Sequence, residues 1–210
     1  MVAERALGSG AAVVGAAFAQ GFLSMGFQLV ASRMLAPFFG TTLVVWAFII
    51  STFLAAFSVG AIAGGICSRL GSIETRRGLG VIALVGCIGF MFTAFAGRPL
   101  LRVIDGAVED FALALGLASS ALFFLPVAAL SALLPIFTEV LSRRGGSGGL
   151  SSGIVYGVST IGNISGVMIT AFLLIPHFLT TQILITWAVS AVLCFWVFYL
   201  LVARAIVAPR

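Results

Sequence analysis

The sequence predicts an all-α, polytopic membrane protein with about six transmembrane helices. Hydrophobic residues make up 61% of the 210 residues and charged residues only 8%, and the charges fall in short clusters between long apolar runs. A soluble domain is about 45–50% apolar and about 25% charged. Because a large surface of any folded chain faces its surroundings, a soluble fold of this length cannot bury so many apolar side chains. In a bilayer these side chains can face lipid.

The individual spans follow from the apolar runs, since a bilayer core about 30 Å thick takes about 20 residues of helix. Pro37 with Gly40, and Pro176 with His177, divide runs that are too long for one span. The predicted helices are residues 10–34, 42–68, 78–97, 111–138, 152–175 and 179–203, in a single membrane domain. Residues 98–110 combine charges with apolar residues at helical spacing, which predicts a short helix lying in the membrane interface.

The arginines predict the orientation of the bundle. All eleven basic residues are Arg, and six spans place eight on one side of the membrane and three on the other. The eight are Arg5, Arg69, Arg76, Arg77, Arg143, Arg144, Arg204 and Arg210; the three are Arg33, Arg98 and Arg102. Because cytoplasmic loops carry the excess of basic residues, we expect both termini in the cytoplasm and the chain in the inner (plasma) membrane.

Residues 17–19 have the A-x-A form of a cleavage site, but the apolar run continues to Ser32, so we expect an uncleaved first helix.

Composition also argues against several functions. The arginines are scattered between spans, so nucleic acid is not an expected partner. Cys67, Cys87 and Cys194 lie in apolar stretches without a close pair, which favours packing over a disulfide framework or a metal site. The six acidic residues all lie at helix ends or in loops. No nucleophile–base pair or buried acid–base dyad is visible, so we expect neither an enzyme nor a bound cofactor.

Pairs of glycines four residues apart mark candidate helix contacts, because small residues let backbones approach closely in lipid. Gly60 and Gly64 form such a pair in the second helix. The fifth helix has two pairs, which are Gly153 with Gly157 and Gly162 with Gly166. Packing within the bundle is the simplest interpretation, while contact with a second chain or a moving interface stays open.

Four residues are candidates for binding a substrate, since polar and ionisable groups inside a membrane are costly. Arg33 lies near the outer end of the first helix, where it is either a site residue or an anchor whose guanidinium reaches the headgroups. Tyr156 and Asn163 belong to a polar stripe on the fifth helix, with Gln28 of the first helix as a candidate partner of Asn163. These three side chains either line a polar cavity or hold helices together through hydrogen bonds.

Two stretches carry a resemblance to a known family. The first comprises residues 28–46 (QLVASRMLAPFFGTTLVVW) and 60–65 (GAIAGG), and the second comprises residues 156–166 (YGVSTIGNISG) and 172–176 (FLLIP). Both resemble the membrane part of the fused major-facilitator/spermidine-synthase proteins. Residues 65–71 (GICSRLG) are similar to the loop signature of major-facilitator proteins.

The resemblance implies a transport-type bundle like one half of a major-facilitator fold, whose halves have six helices each. It associates the chain with polyamines or related metabolites. The sequence departs from the family in three ways. Gln28 replaces the usual Glu, which removes an acidic partner for Arg33, and Ser68 stands where the signature has Asp. No synthase-like soluble domain lies within these residues, so we expect no synthase chemistry.

The sequence therefore leaves three alternative functions, which belong to different classes. The first is a transport module that pairs with a second copy or with another membrane subunit to enclose a path. The second is a non-catalytic accessory or scaffold subunit of a larger membrane complex, which would explain the lack of charge within the spans. The third is a membrane anchor for a separate synthase-like protein.

Overall fold

The computed structural model describes residues 2–70, 72–143 and 147–207, without the side chains of residues 2–9, 72 and 203–207. Six helices account for nearly all of this part of the chain, in which no strand occurs. They are α1 (Val2–Phe39), α2 (Leu43–Ser68), α3 (Ser72–Ala107), α4 (Phe111–Ser142), α5 (Gly148–His177) and α6 (Thr180–Val207). Each is long and apolar enough to cross a membrane. The predicted class, an all-α polytopic membrane bundle, is confirmed.

Some parts of the predicted topology lie outside the described residues. They are Arg144 with the neighbouring glycines at 145 and 146, Arg210, and the side chains of Arg5 and Arg204. The described arginines nevertheless divide between the two ends of the bundle, because successive helices cross it in opposite directions. Arg69, Arg76, Arg77 and Arg143 lie at one end, and Arg33, Arg98 and Arg102 lie at the other.

Short polar motifs set the helix boundaries. Gly40 adopts a positive φ of 76° after α1, a conformation that glycine tolerates because it has no Cβ. Thr42 then accepts a hydrogen bond from the Val45 amide and caps α2. Asp110 caps α4 in the same way, with 2.7 Å between its Oδ1 and the Leu113 nitrogen. These caps satisfy amide groups that have no partner within the helix.

The third helix differs from the prediction. Residues 98–107 continue α3 through Pro99 and do not form a separate segment at the membrane interface. Leu101 is fully buried, and Leu100 and Ile104 are packed against the core. The apolar spacing therefore reflects packing against the bundle, which holds these turns in line with the rest of α3. The first helix is also longer than expected, since it runs through Pro37 to Phe39.

The helices pack as three pairs: α1 with α5, α2 with α4, and α3 with α6. A Cβ on Gly60 or Gly64 of α2 would overlap the carbonyl oxygens of Ala128 and Ala132 of α4, respectively. Residue numbers rise together along both helices, so α2 and α4 run parallel. In α3 and α6 the numbers run in opposite directions, because Gly86 lies against Phe195 and Gly80 lies against Tyr199.

Four phenylalanines, one from each of the first four helices, meet in the centre. The ring of Phe27 lies 4.7 Å from Phe90, 5.7 Å from Phe123 and 6.1 Å from Phe53, measured between centroids. All four side chains are nearly completely buried. Aromatic contacts of this kind add about 0.5–1.5 kcal/mol each beyond the area they bury, so this cluster fixes how α1 to α4 meet.

Helices α4 and α5 each contain one π-helical turn, at Ser120–Phe124 and Thr170–Leu174. Both turns lie in similar heptapeptides, SALFFLP at 120–126 and TAFLLIP at 170–176. In a regular α-helix Pro126 would leave the Leu122 carbonyl without its amide donor. The Thr93 hydroxyl of α3 donates to that carbonyl, with an O–O distance of 2.6 Å. The proline turn of α4 is thereby tied to α3.

Candidate polar site between α1 and α5

Helices α1 and α5 approach each other as closely as α2 and α4 do. A Cβ on Gly162 or Gly166 would overlap the backbone carbonyls of Phe18 and Phe22, and a Cβ on Gly21 would overlap the carbonyl of Ser159. The two helices are therefore in direct backbone contact and run parallel. Close contact of this type lets helices associate in lipid, where no hydrophobic effect draws them together.

Polar side chains lie along this contact, within the buried part of the bundle. The Ser159 hydroxyl donates to Gln20 Oε1 at 2.9 Å, and both residues are buried. Asn163 lies one turn further along α5, with its Oδ1 3.0 Å from the position of a Cβ on Gly21. Gln20, Ser159 and Asn163 together are called the amide cluster below.

Two further hydroxyls and an indole extend the polar contact toward the end of the bundle that carries Arg33. The Trp187 Nε1–H of α6 donates to the Leu23 carbonyl of α1 at 3.0 Å. The hydroxyls of Ser24 and Thr170 are buried and have no hydrogen-bond partner among the described residues. Because buried polar groups are nearly always paired, these two hydroxyls mark a polar region that the described side chains do not satisfy.

The structure separates the four predicted binding residues. Arg33 and Tyr156 are exposed on the outer surface of the bundle, while Gln28 and Asn163 are partly buried. The expected pairing of Gln28 with Asn163 is wrong, because Asn163 lies beside Gly21. Seven residues of helix, or about 10 Å, separate Gly21 from Gln28.

The six predicted packing glycines fall into two groups. Gly60, Gly64, Gly162 and Gly166 are buried in backbone contact with a neighbouring helix, as described above. The packing role expected for Gly153 and Gly157 does not hold within the described part of this chain, because a Cβ on either would meet no atom of a neighbouring helix there within 4 Å. They lie on the outward face of α5, which turns away from α1.

Sequence reasoning missed Gln20, which is the partner of the polar stripe on α5. The signal was present, since a glutamine inside a charge-free run is as costly in lipid as an asparagine. The choice between the two glutamines depends on the register of α1 against α5, which Gly21, Gly162 and Gly166 set.

The amide cluster can accept and donate hydrogen bonds but cannot transfer protons. It contains no ionisable side chain, and Glu139, the acidic residue nearest the end of α4, pairs with Arg143 at 2.7 Å on the surface. Within the described ranges no three His, Cys, Asp or Glu side chains lie close enough to hold a metal ion. The cluster is therefore suited to holding helices together or to binding a small polar molecule.

In comparisons with known proteins, no family model, curated protein or solved structure matches the chain. The fold and the apolar spans define the chain as a multi-pass α-helical membrane protein.

Proposed function

We propose that the chain is a half-size transport module, which pairs with a second copy of itself to enclose a path for a small metabolite. The observation that carries this proposal is an internal inverted repeat in the helix pairing. If α1, α2 and α3 are taken as equivalent to α4, α5 and α6, the parallel pair of α2 and α4 corresponds to the parallel pair of α5 and α1. The pair of α3 and α6 corresponds to itself.

Packing details follow the same exchange. The glycine pair of α2, Gly60 and Gly64, contacts backbone carbonyls of α4. The glycine pair of α5, Gly162 and Gly166, contacts backbone carbonyls of α1 in the same manner. Burial agrees, since α1 and α4 are the most enclosed helices, with 56% and 61% of their most apolar stretches buried, against 33% for α2 and 22% for α5.

Inverted repeats are characteristic of secondary transporters, whose binding sites lie near the bilayer midplane where the repeats meet. Helices α1 and α5 straddle this boundary, and the amide cluster lies between them. We therefore assign Asn163 to the substrate path. Gln28 is partly buried about two turns further along α1, and Arg33 and Tyr156 are exposed on the outer surface. We propose that these three join the path where a second copy closes it. The described spans carry no carboxylate near this region, which favours a small polar metabolite over a strongly cationic polyamine.

The orientation belongs to the same proposal. The end of the bundle that carries Arg69, Arg76, Arg77 and Arg143 faces the cytoplasm, because basic residues accumulate on that side. The termini lie at this end, and the membrane is the inner (plasma) membrane. A thiol reagent that cannot cross membranes would label a cysteine placed near Arg143 only in inverted vesicles.

Reconstitution into liposomes tests the transport function. Liposomes that contain the purified protein are loaded separately with an unlabelled polyamine, amino acid or organic acid. Uptake of the same compound in labelled form is then measured as counterflow. We expect uptake of one class, with loss in Asn163→Ala and in Arg33→Ala. The matched control is Ser165→Ala, which should keep wild-type uptake. The Ser165 hydroxyl donates to the Ile161 carbonyl of its own helix and to no other group among the described residues.

An accessory-subunit function is the competing proposal, and one observation favours it. The amide cluster already pairs Gln20 with Ser159 inside the bundle, as a purely structural contact would. Purification from native membranes in mild detergent separates the two functions. A homodimer with counterflow activity supports transport. The transport function is refuted if the chain is always retained in a larger assembly with fixed partners and transports none of the three compounds.

A further inference from the structure

An open apolar groove of about 650 Å³ lies between α3 and α6 on the outer surface of the bundle. It is lined by Cys87, Ile88, Met91 and Phe92 of α3 and by Val189, Val192 and Leu193 of α6. Its volume lies within the range of about 300–1,000 Å³ that is typical of small-molecule sites. Apart from the thiol of Cys87, which is only a weak hydrogen-bonding group, this lining consists of apolar side chains. The groove is therefore suited to a hydrocarbon chain and not to a polar ligand.

A basic pair lies at the end of α3, on the same side of the bundle as the groove. The Arg76 Nε–H donates to the Tyr199 hydroxyl of α6 at 3.1 Å, and its guanidinium lies 6.0 Å from the Tyr199 ring centre. This contact holds Arg76 across the boundary of α3 and α6. Its terminal N–H groups have no partner among the residues that the structure describes, so they can donate to an anion. Arg77 follows it and is exposed, as is Glu74, the acidic residue of this turn.

One exposed face of α3 connects the basic pair to the groove. Arg77, Val81, Leu84 and Ile88 are spaced four, three and four residues apart and are all exposed, so they lie along one stripe of the helix. Eleven residues separate Arg77 from Ile88, which corresponds to about 16 Å along the axis. Half of a bilayer core is about 15 Å thick. A lipid whose headgroup lies at Arg77 would therefore reach the groove with its chain end.

We propose that α3 and α6 form a binding site for an anionic phospholipid of the leaflet next to Arg76 and Arg77. The phosphate accepts hydrogen bonds from the two guanidinium groups, which bind phosphate well because they present several donors in a plane. One acyl chain follows the stripe of Val81 and Leu84 and ends in the groove. The site is separate from the amide cluster and does not depend on the transport function.

Lipid retention measured by native mass spectrometry tests this site. The full chain is purified in detergent and titrated with phosphatidylglycerol or with phosphatidylcholine, and the lipid-bound fraction is recorded. We expect phosphatidylglycerol to bind at a ratio of one per chain at concentrations where phosphatidylcholine is not retained. Arg76→Gln with Arg77→Gln should weaken this binding about 30-fold, since each arginine near an anionic headgroup contributes about 1 kcal/mol and 1.4 kcal/mol is tenfold.

Two further variants separate a built site from general attraction of charge. Arg98→Gln with Arg102→Gln removes two arginines from the opposite end of the same helix and should change binding less than about threefold. Val192→Phe fills the groove without changing any charge and should lower retention at least tenfold. Equal binding of the two lipids, equal losses from both arginine pairs, or full retention in Val192→Phe would each overturn the proposal.

Discussion

Replacing Gly162 by alanine should destabilise the bundle, whereas the same replacement at Gly157 should not. At Gly162 the added Cβ would overlap the Phe18 carbonyl oxygen and stand 3.0 Å from the Phe18 carbonyl carbon and 3.1 Å from the Phe22 nitrogen. These are backbone atoms and cannot rotate away, so α5 must move off α1. At Gly157 the added Cβ would have no atom of another described helix within 4 Å.

The size of the effect follows from three terms. Overpacking of a closely packed contact costs about 1–3 kcal/mol. Separating the helices also weakens the hydrogen bond from Ser159 to Gln20, and interhelical bonds of this kind contribute about 0.6 kcal/mol and at most about 1.7. Alanine gains about 1 kcal/mol of helix propensity over glycine at either position. We therefore expect Gly162→Ala to lower the free energy of unfolding by about 1–3 kcal/mol. We expect Gly157→Ala not to lower it and to raise it by up to about 1 kcal/mol.

The assay is reversible unfolding in mixed micelles, with the SDS fraction at the midpoint converted into a free energy of unfolding. The two variants add the same atoms to the same helix, so differences in micelle binding and helix propensity cancel. Equal unfolding free energies for the two variants, or a more stable Gly162→Ala, would show that Gly162 of α5 does not lie against Phe18 and Phe22 of α1.

Two further substitutions test the remaining polar contacts. Thr93→Val should lower the free energy of unfolding by about 1–3 kcal/mol because it leaves the buried Leu122 carbonyl without its donor. The loss should be smaller in a Pro126→Ala background, where the residue 126 amide can donate to this carbonyl. An unchanged loss in that double-mutant cycle would contradict the role assigned to Thr93. Gln20→Leu should destabilise the bundle by about 0.6–1.7 kcal/mol while Gln28→Leu should not, and thermal unfolding of the two variants in detergent would refute the assignment if their order were reversed.

The amino-acid sequence by itself determined the class of the protein and the number of its spans. Long charge-free runs leave no soluble alternative, and backbone polar groups inside a bilayer must pair within a helix. Local signals also placed several boundaries well. Thr42 and Gly40 lie between α1 and α2, and Pro176 and His177 form the end of α5 just before the break at residues 178 and 179, because capping and proline effects act within a few residues.

Only the tertiary structure decided which helices pair and in which register. In lipid every apolar face is equally satisfied by a neighbouring helix or by an acyl chain, so hydrophobicity carries no information about partners. That is why Gly153 and Gly157 could not be distinguished from Gly162 and Gly166 in the sequence, and why Gln28 was favoured over Gln20. The backbone contacts between α1 and α5 bring Gln20 to Ser159, and no local pattern specifies that contact.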